Sequence, residues 1–289
     1  MNYAPVVVFG YNRADMLKNL LESLEKNKNV EKMDLYIFID IPSKKKPHDI
    51  PLSQEVIKYV NTYKTISKFK NVEIKIAKQH KGLADSIISG VTEIINRYGK
   101  VIVLEDDLEV SNDFLDYMQR GLKFYQSDSK VWSLSAYCYE KMKFPVRYHK
   151  DVFLGTRAES WGWGTWVDRW NKTDWNVKSY VKFKKDVVGR ILFNLGGSDL
   201  YKSLEKQMKD KNYDSWAIRW SYQQFRERKY TVYPRESRVM HCGSDTRSTH
   251  TTYCSKVKLK QHYTKFRFES LKPNVKIILN FKKAAENMS

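Results

Sequence analysis

The chain has 289 residues, 42% of them hydrophobic and 29% charged, with a mean hydropathy of -0.62. That balance suits one large globular domain or two small ones, and 13 Phe, 19 Tyr and 8 Trp exclude a disordered chain, while 12 Gly and 7 Pro exclude collagen-like and low-complexity ones. Lys+Arg 52 against Asp+Glu 33 leaves a net charge of +19, a field that attracts nucleic acid, acidic headgroups or a phosphorylated substrate without choosing among them. Met1-Asn2-Tyr3-Ala4-Pro5 opens directly into an apolar run and so reads as no secretory leader. Pro5–Gly10 predicts a buried parallel strand, and Met16, Leu17, Leu20, Leu21 and Leu24 then repeat at helical spacing. Leu35–Asp40 predicts a second strand and Ile41–Pro47 a loop. Val56–Ile66 predicts a helix, Val72–Ala77 a third strand and Leu83–Ile95 an amphipathic helix, and Lys100–Leu104 is a fourth strand running into Glu105-Asp106-Asp107.

This alternation predicts an α/β fold with a Rossmann-like, mainly parallel sheet flanked by helices. Ligands of such sheets lie beyond the carboxyl ends of the strands. Three of the four strands end there in polar residues: Tyr11-Asn12-Arg13, Asp40 and Glu105-Asp106-Asp107. All eight tryptophans fall after residue 130, and lysine-rich helical stretches are expected at Val177–Val188 and Leu200–Lys211. With no Pro/Gly/Ser linker between them, residues 1–130 and 131–255 read as two halves of one continuous unit. Residues 256–289 read as a basic C-terminal tail. Cys138, Cys242 and Cys254 have no metal-type spacing and suit a reducing compartment.

Three adjacent carboxylates repel one another, and a hard divalent ion is one way to justify them. A solvated loop, or an acidic cap for the helix near Phe114, is the plain alternative. Asp40 could accept from a base or ribose, or be a turn residue. Arg13 suits a pyrophosphate, and Lys78–Gly82 brings cations to a helix N-terminus, where an anion is favoured.

Phe9–Arg13, Phe38–Asp40, Lys81–Ile87 and Leu104–Val110, in this order, resemble GT-A glycosyltransferases. The chain is similar to bacterial family 2-type sugar transferases and, around Glu105–Phe114, to N-acetylglucosaminyltransferase I. The resemblance implies that Phe9, Tyr11, Asn12 and Arg13 form the first nucleotide loop. It implies that Asp40 reads a uracil-type base, that Lys81 closes the second loop and that Glu105 and Asp106 face ribose and donor sugar. Asp107 would be the metal-binding carboxylate for Mn²⁺ or Mg²⁺. Arg157 and the segment Trp161–Trp166 would line donor sugar and acceptor, with Trp161, Gly162 and Trp163 on the acceptor side; a tryptophan-rich core patch is the alternative. Asn212–Ala217 resembles the catalytic-base segment, which places the base at Asp214; helix capping by Asp214, or a base at Asp199 or Glu227, are the alternatives. Tyr233–Gly243 resembles the segment closing the donor site, with His241 open between metal ligand, pyrophosphate contact and core residue.

The implied activity is inverting, metal-dependent transfer from a nucleotide-diphospho-sugar, expected to be a UDP-sugar. The acceptor would be a glycan or polyprenyl-linked glycan of surface polysaccharide synthesis, reached in the cytoplasm at the inner face of the membrane. The tail and Lys44-Lys45-Lys46 are the expected contacts with anionic lipid, a solvated basic surface being the plainer reading. A nucleic-acid-binding protein would share the charge, but the carboxylate triplet would repel phosphates at the sheet's binding edge. A sugar nucleotidyltransferase would share the sheet, but the glycine-rich phosphate loop expected after its first strand is absent.

Overall fold

A computed structural model describes residues 3–242, 259 and 265–286. Gly243, at the end of the segment Tyr233–Gly243, and Cys254 lie outside the described residues. In chain order the elements are β1 (Val6–Gly10), α1 (Ala14–Glu25), β2 (Asp34–Ile39), α2 (Asp49–Ile66), β3 (Asn71–Ile76), α3 (Leu83–Tyr98), β4 (Lys100–Glu105), β5 (Leu108–Val110) and α4 (Phe114–Phe124). There follow β6 (Val131–Ser135), β7 (Val152–Gly155), β8 (Trp163–Trp166), α5 (Val167–Trp170), α6 (Tyr180–Phe183), α7 (Val187–Phe193), α8 (Leu200–Lys209), α9 (Trp216–Arg226), β9 (Tyr230–Pro234), β10 (Val239–His241) and α10 (Val275–Glu286).

Eight strands form one sheet in the order β3-β2-β1-β4-β8-β6-β9-β7, and β10 pairs with β5 in a small second sheet. The β3, β2, β1 and β4 pairings are parallel, as the alternating strands and helices predict. β8 then runs antiparallel between β4 and β6, so both halves of the chain share the sheet. Successive strand residues face opposite sides. Val6 and Val8 therefore pack with Leu17, Leu20 and Leu21 of α1, whereas Val7 and Phe9 pack with Ile87, Val91 and Ile94 of α3.

Two expectations about helices need correction. The stretch Val177–Val188 is not one helix, because Asp186 interrupts it and caps α7 by accepting the Gly189 amide at 2.8 Å. The helix expected from Val56 begins at Asp49, with Pro51 in the first turn, where no intrahelical amide donor is required. The C-terminal part of the chain is also no free tail. Phe266, Phe268 and Leu271 are buried, Phe266 and Phe268 against Tyr117 of α4, and α10 buries Ile277, Phe281, Ala284 and Ala285.

Candidate functional site

The sheet order reverses between β1 and β4, since β2 lies on one side of β1 and β4 on the other. Such a switch point opens a crevice at the carboxyl ends of the strands. A cavity of about 560 Å³ occupies it, within the range that holds small ligands. Phe9, Tyr11, Asn12, Arg13, Asp40, Glu105, Asp106, Asp107, Arg157, Trp161, Asp214 and His241 all line it. These residues span more than two hundred positions of sequence and converge only on folding.

The floor is a charge cluster. Arg13, just after β1, donates to Asp106 in a short hydrogen bond and through Nη2 to Asp107 Oδ2 at 3.0 Å. His241 Nε2 lies 3.3 Å from the same Asp107 oxygen, and its ring stacks on Trp161 with centroids 4.5 Å apart. Burial pushes Asp106 up to about 6 against the pull of Arg13, and burial next to Asp107 and Asp106 raises Glu105 well above the usual carboxylate range. Burial acts upward on Asp107 too, but the hydrogen bond to His241 and the Arg13 charge hold it below the ordinary value. Asp107 is thus the member of the triplet held most firmly as an anion.

That chemistry fits a divalent cation. Among the described residues no three His, Cys, Asp or Glu side chains converge as a ready-made cage. Mg²⁺ and Mn²⁺ sites that use substrate phosphates and water need only one or two protein ligands. Asp107 and His241 supply an oxygen and a nitrogen. Arg13 Nη1 is buried at the same place with no hydrogen-bond partner among the described residues, a donor left over for an anion.

Asp40 lines the cavity at the end of β2 and is held by backbone amides. Its Oδ1 accepts the amides of Ile41 and Lys81, both at 2.9 Å, and its Oδ2 accepts the Gly82 amide at 2.9 Å. His80 Nδ1 also lies 3.0 Å from Oδ2. These bonds latch the loop 80–82 to the end of β2, while His80 Nδ1 also lies 2.8 Å from the Ile41 carbonyl oxygen; Asp40 stays in the cavity lining, with Tyr11, His80 and Lys46 beside it. Tyr11 and Asn12 are held in turn by the buried Asp49, which accepts from Tyr11 Oη at 2.9 Å and Asn12 Nδ2 at 3.0 Å. Lys81 stands outside the lining of this cavity, with its Nζ donating to Ser89 Oγ at 3.0 Å along α3.

The tryptophan segment divides. Trp161 faces the cavity, but Trp163 is 0% exposed and stacks on Trp216 and Trp170 at 5.1 and 5.6 Å in a core that also holds Trp132 and Trp220. The left-handed turn at Gly162 separates the two, since Trp161 precedes the strand and Trp163, on β8, points to the α3 side of the sheet. Gly162, at φ +64, turns the chain into β8 and backs onto Phe114 and Val239. The core-patch reading therefore holds for Trp163 and Gly162, while Trp216 of α9 joins Trp161 in lining the cavity.

Asp214 is half exposed on the opposite wall, with Oδ1 2.7 Å from Arg219 Nη2. The cap of α9 is Ser215, whose Oγ accepts the Ile218 amide, so capping does not account for Asp214. Asp199 is bound to Arg157 Nη1 at 2.8 and 3.0 Å, while Glu227 follows α9 away from the cavity. Gly197, at φ +140, permits the Asp199–Arg157 approach, because a Cβ there would stand 2.5 Å from Asp199 Oδ1 and 2.9 Å from Arg157 Nη1. Sequence reasoning missed Glu159. It is 7% exposed in the cavity wall, accepts from Tyr139 Oη at 3.0 Å, and burial raises its pKa despite nearby Arg157. A lone carboxylate beside an aromatic run was the available signal.

The GNT-I family model matches residues 1–176, more than half of the chain and well beyond the segment around Glu105. The chain belongs to the GNT-I family. An alpha-1,3-mannosyl-glycoprotein 2-beta-N-acetylglucosaminyltransferase of Arabidopsis thaliana is 25% identical over 205 residues, which cover 66% of this chain and 44% of that protein. The chain thus spans less than half the length of this curated relative. Among solved structures, S. aureus TarS 1-349 is similar with a TM-score of 0.48 at 10% identity, covering 82% of this chain and 59% of that one. The mannosyltransferase PcManGT from Pyrobaculum calidifontis, in complex with GDP-Man and Mn²⁺, gives 0.38 at 13% identity, covering 57% and 46%.

Proposed function

We propose that this chain is an inverting glycosyltransferase that moves a sugar from a UDP-sugar to a hydroxyl of a glycan or lipid-linked glycan. The observation that carries the reading is the Arg13–Asp106–Asp107–His241 cluster at the floor of a cavity on the sheet's switch point. Membership of the GNT-I family supports it, and the Arabidopsis relative's name suggests N-acetylglucosamine as the sugar.

Asp107 and His241 would hold Mn²⁺ or Mg²⁺, which when bound offsets the charge of the donor's diphosphate. Arg13, with one nitrogen already unpartnered, turns toward the phosphates and exchanges carboxylate contacts for phosphate ones. Tyr11 and Lys46 line the same wall, and Trp161 offers a ring face to a pyranose. Asp214 takes the acceptor hydroxyl's proton as that oxygen bonds to the anomeric carbon. The bond from that carbon to the diphosphate oxygen breaks in the same step, and the nucleoside diphosphate leaves.

The test is thermal shift with UDP and UDP-sugars, with and without Mn²⁺, followed by transfer assays. UDP is expected to raise the melting temperature only with the metal, and Asp107→Ala is expected to abolish that rise. Asp214→Asn is expected to keep the rise while lowering transfer about 10²-fold or more. No shift with any nucleotide, with stabilisation by RNA or heparin instead, would overturn the reading.

A further inference from the structure

Among the described residues, five of the exposed large apolar side chains fall together on one short segment. Val181, Val187, Val188, Ile191 and Leu192 are 65, 56, 66, 63 and 49% exposed, all within twelve residues of α6 and α7. The inner side of the same segment is already satisfied, with Tyr180, Phe183 and Phe193 packed on Leu200, Leu204 and Tyr222. α7 is therefore apolar on both faces, a pattern that calls for burial on both.

Charge identifies what covers the outer face. Lys178, Lys182, Lys184 and Lys185 stand in and around it, while Arg190 lies over the Tyr201 ring, and the carboxylate within this segment, Asp186, is engaged in capping α7. Apolar side chains ringed by cations match the boundary of an anionic bilayer, where the chains enter the acyl region and the cations meet lipid phosphates. A second copy of this chain fits poorly, since it would bring a like-charged face and another net charge of +19.

The patch also adjoins the cavity. α7 leads through residues 194–197 directly to Asp199 and Leu200 in the cavity wall. α10 packs on the same 194–196 turn and exposes Val275 and Leu279, with Lys276 and Lys283 on the same helix.

We propose that the α6–α7 surface is a membrane-docking face that seats the protein on anionic phospholipid. This differs from the sequence expectation, which placed that contact in the C-terminal tail and Lys44-Lys45-Lys46. Part of that tail is packed as α10, and Lys46 faces the cavity. The inference stands independently of the donor and the reaction.

The experiment is co-sedimentation of the full chain with vesicles of three parts phosphatidylcholine to one part phosphatidylglycerol, and with phosphatidylcholine alone. The full chain is expected to partition onto the anionic vesicles and to lose most of that binding in high salt. Lys184→Glu/Lys185→Glu is expected to bind roughly 20-fold more weakly or worse, and Val188→Ser/Ile191→Ser about tenfold more weakly. All four substituted side chains are exposed, so both variants are expected to keep the parent melting temperature. Binding unchanged in both variants would place the contact elsewhere and overturn the proposal. So would absence of vesicle binding, and so would self-association, read by sedimentation velocity, that Val188→Ser/Ile191→Ser removes.

Discussion

Glu159 shows what one buried ionisable side chain does to this protein. Burial raises its pKa above the ordinary 4.5 although Arg157 and the Ser160 amide pull the other way. A raised carboxylate favours the folded state while protonated. Its contribution is fully present below the unfolded pKa and is lost as pH rises through the folded one. Glu105 and Asp106 act in the same direction, so the effect of Glu159 is isolated by comparing the parent with Glu159→Gln. Urea unfolding from pH 4.5 upward is expected to show the stability of Glu159→Gln gaining on the parent through that window. A constant difference would mean that Glu159 titrates normally. Nothing in the local sequence Ala158-Glu159-Ser160 announces this, because the shift comes from what packs around it. Asp40 teaches the same lesson: its position after a strand was legible, but not the amides of Lys81 and Gly82 that its carboxylate accepts.

At the scale of the element, β8 decides the architecture. It enters antiparallel between β4 and β6 and joins the second half of the chain to the first. Gly164 makes the entry possible, since a Cβ there would lie 2.8 Å from the Val101 carbonyl oxygen and 3.1 Å from Met118 Cε. The first contact is with backbone and cannot be relieved by a rotamer change. Gly164→Ala is expected to destabilise the protein by about 1–3 kcal/mol, measured by denaturant midpoint. The four parallel strands were legible because each is a short apolar run closed by polar residues. β8 was not, because Trp-Gly-Thr-Trp has neither alternation nor length, and its glycine-tryptophan texture suits a ligand surface as well as a core.

For the whole molecule, the C-terminal segment is a structural part of the fold. Phe266, Phe268, Leu271, Ile277 and Phe281 are all buried, and Arg238 lies between the Tyr117 and Phe266 rings at 4.4 and 4.7 Å. Burying side chains of this size is worth about 1.5–3 kcal/mol each. Five of them together approach the ~5–15 kcal/mol that separates a folded domain from its unfolded state. Truncation after residue 264 is therefore expected to abolish cooperative unfolding as followed by circular dichroism. A truncated chain melting like the parent would show that α10 is dispensable. Among the described residues no helix is long and apolar enough to cross a membrane. The +19 charge acts through surfaces, and α6 and α7 carry exposed apolar groups together with part of that charge.

The sequence by itself determined the alternation of strands and helices, the parallel arrangement of β1 to β4 and the polar residues that close those strands. These are properties of neighbouring residues, written as periodicity and as breaks in it. Tertiary structure alone decided that Trp161 faces the cavity while Trp163 joins the core, and that Lys81 runs along α3. It alone brought Asp49 to Tyr11 and Asn12, and Arg157 to Asp199. It also turned part of an expected tail into a buried helix. The physical reason is that burial and hydrogen-bond partnership depend on groups far away in the chain, such as Asp107 and His241. A one-dimensional pattern names the residue types available to a site, and only packing assigns each one a partner.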